Sequence, residues 1–256
     1  MKWFFGFNEE TEWFDNYFRY IKCAVNSARL NTNLEPNFLY DGKPNALTSW
    51  LEDKGVQVHY TRSRFYDLFQ KRAEQGLNAK VAAGAYLRAE IPDLVYTTDP
   101  FVLYTDCDVM FLGNVDDLSV IRPKHFACAP ELDKNNWTYF NSGVMLMNTR
   151  AMHEKIPRFE QQVTSSSLAK LSKYDQESYN DMYKGRWDHL PIQYNWKPYW
   201  GQNKDAKIVH FHGIKVENIE RLMRGQEVQP IQSAMYRQEP LAYQRFYGLA
   251  VGFEEI

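Results

Sequence analysis

Along the chain, short apolar runs alternate with stretches in which apolar positions recur every three or four residues, and the two patterns trade places from the first residues onward. Trp3-Phe4-Phe5-Gly6-Phe7 ends on polar Asn8 and reads as a strand. Trp13, Tyr17, Ile21, Ala24 and Ala28 then follow at helical steps. Asn37–Tyr40 predicts a second strand before the Asp41-Gly42 turn, Leu47–Lys54 a short helix ended by Gly55, and Val56–Tyr60 a third strand. Further on, Asn78–Glu90 predicts a helix that Pro92 stops, and Phe101–Tyr104 a buried strand. His125–Ala129 and Gly143–Met147 predict two more strands, Arg150–Leu171 and Tyr174–Tyr183 helices, and Lys207–His212 a late strand ended by Gly213. Such alternation implies crossover connections and an α/β protein with a mostly parallel sheet, whose ligands gather at the carboxyl ends of the strands. No internal repeat or low-complexity linker interrupts the pattern, so residues 1–256 are expected to form one domain. A helical extension is expected over about 217–256, with Tyr236, Tyr243, Phe246, Tyr247 and Phe253 packed on the core.

Composition narrows the function. With 256 residues, 44% apolar and 24% charged, the chain can bury a core without covalent staples. Thirty basic against 32 acidic residues argue against a nucleic-acid partner. Cys23, Cys107 and Cys128 are widely spaced and form no C-x-x-C pair, so a reducing, cytoplasmic location is expected. The opening apolar run is too short for a signal peptide, and no run approaches the roughly 18 residues of a spanning helix. Acidic and basic residues balance over 204–256, so any membrane contact is expected to be peripheral. The aromatic share, 16%, is high for one core, and the surplus rings either line a ligand groove or pack in the core with the rest.

Candidate chemistry begins at Asp106-Cys107-Asp108. Residues two apart in an extended segment face the same side, so two carboxylates converge at the end of a buried strand. That is half a site for a hard cation such as Mg²⁺ or Mn²⁺; the plain alternative is a solvated acidic turn. Two like charges near a core call for compensation, which favours the cation. His210 and His212, also two apart, each suit metal ligation or a hydrogen-bonded core position. Lys215 can reach a diphosphate or sit on the surface. Asn141-Ser142-Gly143, Asp175-Gln176 and Asn195 lie at element ends, where by chemistry alone turns and caps account for them better than a binding role does. P-loop, dinucleotide G-x-G-x-x-G, G-x-S-x-G and H-E-x-x-H motifs are absent. A D-x-D phosphatase of the haloacid dehalogenase type would carry the motif near its N-terminus, with Thr or Val where Met110 stands.

In order, Tyr86–Pro92, Val102–Asp108, Phe140–Asn148, Asp175–Asn180, Leu190-Pro191 with Tyr194-Asn195, and His210-Phe211-His212-Gly213 with Lys215 resemble the motifs of glycosyltransferase family 8, the retaining GT-A enzymes. The resemblance spans most of residues 1–215. It implies a GT-A fold: a single Rossmann-like domain with a central mixed, mostly parallel sheet flanked by helices. It also implies a UDP-sugar donor, glucose or galactose foremost, and transfer of the hexose to a hydroxyl of a glycan, lipid-linked saccharide or protein with formation of an α-linkage.

Residue by residue, the resemblance makes Asp106, Asp108 and His210 ligands of Mn²⁺ or Mg²⁺, with Asp106 shared between metal and ribose. Lys215, two residues after the glycine where the family commonly has three, would bind the diphosphate. Arg88 would brace the donor, Asn141, Asp175 and Gln176 would surround the hexose, and Phe7, Asn8 and Tyr17 would hold uracil. Asp175 and Gln176 are the catalytic candidates, with the acceptor attacking on the face that UDP leaves and Gln176 stabilising the developing cation. A catalytically silent GT-A-like module that binds nucleotide-sugar or glycan is the alternative.

Overall fold

The computed structural model describes residues 1–11 and 14–256; Trp13, which the sequence pattern sets on the first helix, lies outside them. The chain runs β1 (Lys2–Asn8), α1 (Phe14–Asn31), β2 (Glu35–Asp41), α2 (Ala46–Asp53), β3 (Gln57–Tyr60), α3 (Tyr66–Ala73), α4 (Ala79–Ala85) and α5 (Ile91–Val95). It continues through β4 (Phe101–Thr105), β5 (Val109–Phe111), β6 (Phe126–Pro130), β7 (Phe140–Asn148), α6 (Thr149–His153), α7 (Ile156–Ser165), α8 (Leu168–Leu171), α9 (Tyr174–Tyr183) and β8 (Asp188–His189). β9 (Ile208–His210), α10 (Val216–Met223), α11 (Pro230–Gln238) and α12 (Pro240–Glu254) complete it.

Seven strands form one mixed sheet in the order β3-β2-β1-β4-β7-β6-β8, in which β7 is antiparallel to both β4 and β6 and the other neighbours are parallel. Helices cover both faces, which is why the central strands are apolar on both sides. In β1, Trp3, Phe5 and Phe7 enter one core and Phe4 the other; in β4, Leu103 and its neighbours Val102 and Tyr104 divide the same way. α1 spans two cores, giving Ile21, Ala24 and Val25 to one and Tyr20 and Cys23 to the next. There the C-terminal helix docks with Ala242, Phe246 and Ala250, four residues apart, and with Tyr243. The three cysteines are free and buried. Among the described residues, no helix is long and apolar enough to cross a membrane.

Local differences from the sequence pattern have physical causes. The Asn78–Glu90 helix divides at Tyr86 into α4 and a 3₁₀ turn over Tyr86–Glu90, and Pro92 opens α5 instead of ending a helix. Its missing N–H falls in a first turn, where no intrahelical acceptor is due. The expected helix over Arg150–Leu171 is three helices, broken before Pro157 and at extended Ser166. Of Lys207–His212 only Ile208–His210 is strand, and it lies outside the main sheet, paired antiparallel with β5.

Candidate active site

Chain direction gathers the site. β1 and β4 run parallel and end at one rim of the sheet, at Asn8 and Thr105; β7 runs the other way, so its start, Phe140–Ser142, reaches the same rim. The ladder between β5 and β9 sets Val109 opposite His210, and this brings the histidine to the acidic triplet. The result is a cavity of about 320 Å³, within the range of small-molecule sites. Phe7, Asn8, Tyr17, Arg88, Asp106, Asp108, Asn141, Asp175, Gln176 and Lys215 all line it.

Asp106, Asp108 and His210 each point a ligand atom to one spot, all within 4.8 Å of one another. His210 Nε2 lies 3.4 Å from Asp108 Oδ1 and 3.7 Å from Asp106 Oδ2. On the far side of the ring, Nδ1 is 3.1 Å from Asn195 Oδ1, so an Nδ1–H donating there turns the Nε2 lone pair toward the carboxylates. Asn195 is itself fixed by donating Nδ2–H to Asn141 Oδ1 at 3.0 Å. Gly143 makes the room: a Cβ there would stand 2.2 Å from His210 Cε1 and 2.8 Å from Asp106 Oδ2. Two carboxylates and one imidazole in a cradle that only glycine leaves open fit a divalent ion of the Mn²⁺ or Mg²⁺ kind. His212, the other histidine, also lines the cavity but is no part of this cluster, its Nε2 3.5 Å from Glu131 Oε1 and its Nδ1 3.1 Å from the Tyr199 hydroxyl.

Cations compensate the buried acids. Burial alone would raise Asp108, but the contacting Lys215 ammonium holds it well below the usual carboxylate range. The same partnership raises Lys215 against its own burial. Arg88, only 3% exposed, donates Nη2–H to Asp106 Oδ1 at 2.7 Å and also contacts the Ser142 carbonyl. Its Nε lies 3.0 Å from Asp175 Oδ2. Asp175 is nonetheless pushed up to about 6, because its burial outweighs the attraction of Arg88. Gln176 Oε1 accepts from Asn141 Nδ2 and from the Ser142 N–H, both at 3.0 Å, and its Nε2 donates to Glu131 Oε1 at 2.8 Å. At the other end of the cavity, the Phe7 and Tyr17 rings meet at 4.6 Å. Asn8 accepts from the Glu10 N–H through Oδ1, while its buried Nδ2 has no partner.

The site thus unites the residues picked out in the sequence, gives a role to two that read as turn residues, and adds Glu131, which the sequence pattern passed over. Asn195 orients His210, Gly143 clears space for it, and Glu131 binds Gln176. A strand-end acid after Pro130 was the one available signal for Glu131.

The architecture is that of GT-A glycosyltransferases. The apo form of the glycosyltransferase GlyE from Streptococcus pneumoniae TIGR4 superposes with a TM-score of 0.63 at 18% identity over 98% of this chain and 64% of that one. The galactosyltransferase LgtC, in complex with donor and acceptor sugar analogs, gives 0.62 at 17% identity over 98% and 96% of the two chains. Mouse xyloside xylosyltransferase 1 gives 0.60 at 15% identity over 83% and 98%. The chain therefore spans less than two thirds of the length of GlyE but nearly all of that of LgtC. No curated protein sequence matches it. The family model described as glycosyl transferase family 8 matches residues 13–216, and the chain belongs to that family.

Proposed function

We propose that this glycosyltransferase moves a hexose, glucose or galactose, from a UDP-sugar to an acceptor hydroxyl with retention, forming an α-linkage. The observation that carries the reading is the convergence of Asp106, Asp108 and His210 on one point, with Asp106, Asp108 and Lys215 lining the cavity. Asp106, Asp108 and His210 would hold Mn²⁺ or Mg²⁺, which when bound supplies positive charge to the leaving diphosphate. Lys215 adds an ammonium for the same oxygens and is free to serve them once it leaves Asp108. Arg88 keeps the Asp106 carboxylate aimed at the cavity. Phe7 and Tyr17 offer aromatic surface to a uracil ring, and the unpartnered Asn8 amide offers it a donor.

Asn141, Asp175 and Gln176 surround the hexose. Asp175 is held by Arg88 and by Ser142 Oγ at 3.1 Å, which makes it a poor nucleophile. This supports attack by the acceptor on the face that UDP leaves, with the Gln176 amide beside the developing cation. The proposed acceptor is a glycan, a lipid-linked saccharide or a protein, with no nucleic-acid partner, membrane contact at most peripheral and a cytoplasmic setting, as the near-neutral charge balance and the three free cysteines support. Release of UDP from UDP-glucose or UDP-galactose with Mn²⁺ tests the reading, with NMR of the product for the anomeric configuration. UDP binding without any turnover, by hydrolysis or by transfer to any acceptor, would favour the silent nucleotide-sugar-binding module. Phosphate release from simple phosphoesters with indifference to UDP would favour the phosphatase.

A further inference from the structure

Tyr174, at the start of α9, has φ +58°, the one positive φ at a non-glycine among the described residues. A tyrosine in the left-handed region is strained and persists only where its surroundings hold it. The helix start supplies no such hold, since Lys173 stands at the N-cap without a side-chain cap. The two residues that follow are Asp175 and Gln176, which both turn into the cavity.

The hold comes from another element. Tyr86 is fully buried, and its hydroxyl lies 3.2 Å from the Tyr174 carbonyl oxygen and 2.6 Å from Ser178 Oγ. Each hydroxyl gives one proton: Tyr86 donates to the Tyr174 carbonyl and accepts from the Ser178 hydroxyl. Ser178 is fixed in turn, its carbonyl accepting from Gln162 Nε2 at 2.8 Å. The 3₁₀ turn that carries Tyr86 also carries Arg88, which meets Asp175 at 3.0 Å. One short turn therefore grips the start of α9 at its backbone and at its first acid.

We infer that Tyr86 is a positioning residue, whose hydroxyl keeps Tyr174 in the left-handed region and thereby aims Asp175 and Gln176 at the donor sugar. The inference rests on the reading of Asp175 and Gln176 as flanking that sugar. Removing the hydroxyl lets Tyr174 relax to negative φ and turns the next two residues, whereas in Tyr174→Gly the left-handed conformation carries no strain to relieve.

Two measurements on wild type, Tyr86→Phe, Tyr174→Gly and the double variant test it. Crystal structures of wild type and Tyr86→Phe are expected to show positive φ at Tyr174 in the first and negative φ in the second, independently of any reaction. In kinetics with UDP-glucose or UDP-galactose, Tyr86→Phe is expected to lower kcat at least about tenfold with donor KM within about twofold. The same change made in Tyr174→Gly is expected to alter kcat by less than about twofold. A Tyr174 that keeps positive φ in Tyr86→Phe, an unchanged kcat, or an equal loss in both backgrounds overturns the inference. A wild type that turns over no UDP-sugar defeats the proposed function instead, and the backbone comparison still decides whether Tyr86 holds Tyr174.

Discussion

Gly143→Ala puts a methyl group into the one space that the metal cluster needs. The new carbon would lie 2.2 Å from His210 Cε1 and 2.8 Å from both His210 Nδ1 and Asp106 Oδ2. Ordinary carbon contacts begin at about 3.5 Å, so the ring or the strand must give by about 1 Å. Neither moves cheaply: His210 is 1% exposed and bonded to Asn195, and Gly143 sits inside β7, its carbonyl accepting from the Asp106 N–H at 2.8 Å. Overpacking of this kind costs about 1–3 kcal/mol of stability, and a displaced ligand costs about 10–100-fold in metal affinity. Manganese titration followed by the electron paramagnetic signal of the free ion reads the second quantity, and urea unfolding the first. Gly248→Ala is the control, because a Cβ there, on α12, meets no atom outside its own helix and should stabilise by about 0.5–1 kcal/mol. Manganese affinity within twofold of wild type in Gly143→Ala, with unchanged stability, would refute the reasoning.

Three further outcomes are expected. Asp175 is raised from 3.8 to about 6, so the folded state binds its proton more tightly than the unfolded chain does. That contribution is complete below about pH 4 and is lost as pH rises through about 6, to a total of about 3 kcal/mol. Asp175→Asn should remove this downward slope between pH 4 and 6, read by urea midpoints against wild type. Lys215→Met should weaken UDP binding by about 2 kcal/mol, roughly 30-fold, and leave uridine binding nearly unchanged, by calorimetry in the presence of Mn²⁺. Trp3 Nε1–H donates to Thr105 Oγ1 at 2.9 Å within the core, so Thr105→Val leaves a buried donor unpaired. The expected loss is about 1–3 kcal/mol, seen as a Tm several degrees lower.

The α/β alternation and the strand-end acids were legible because each is local: an apolar run followed by Asp106-Cys107-Asp108 identifies a strand and its end without knowledge of any partner. Local pattern alone did not separate His210 from His212, and the family resemblance picked His210; in the fold the choice is made by the β5–β9 ladder, a pairing across about 100 residues. β5 itself is three residues long and directly follows the acidic triplet, too short for alternation to register. Asn195 looked like a turn residue because it ends a 3₁₀ turn and the group it orients lies on a strand 15 residues further on. The broken helix over Arg150–Leu171 was misread for a different reason: Pro157 sits in a first turn, a position that periodicity alone does not separate from a helix interior. Tyr86 opens a family-like segment and Tyr174 a predicted helix, but their contact left no sequence signal, since backbone strain at a tyrosine is a property of what surrounds it.

The most direct test of the central claim is thermal or urea unfolding of wild type and Asp108→Ala with UDP, with and without Mn²⁺. UDP at about a hundred times its dissociation constant should add about 2.7 kcal/mol to wild type only when the metal is present, and should add nothing to Asp108→Ala. Stabilisation by UDP that ignores the metal, or that survives in Asp108→Ala, would contradict the assignment of Asp106, Asp108 and His210 as the metal-bearing heart of the donor site.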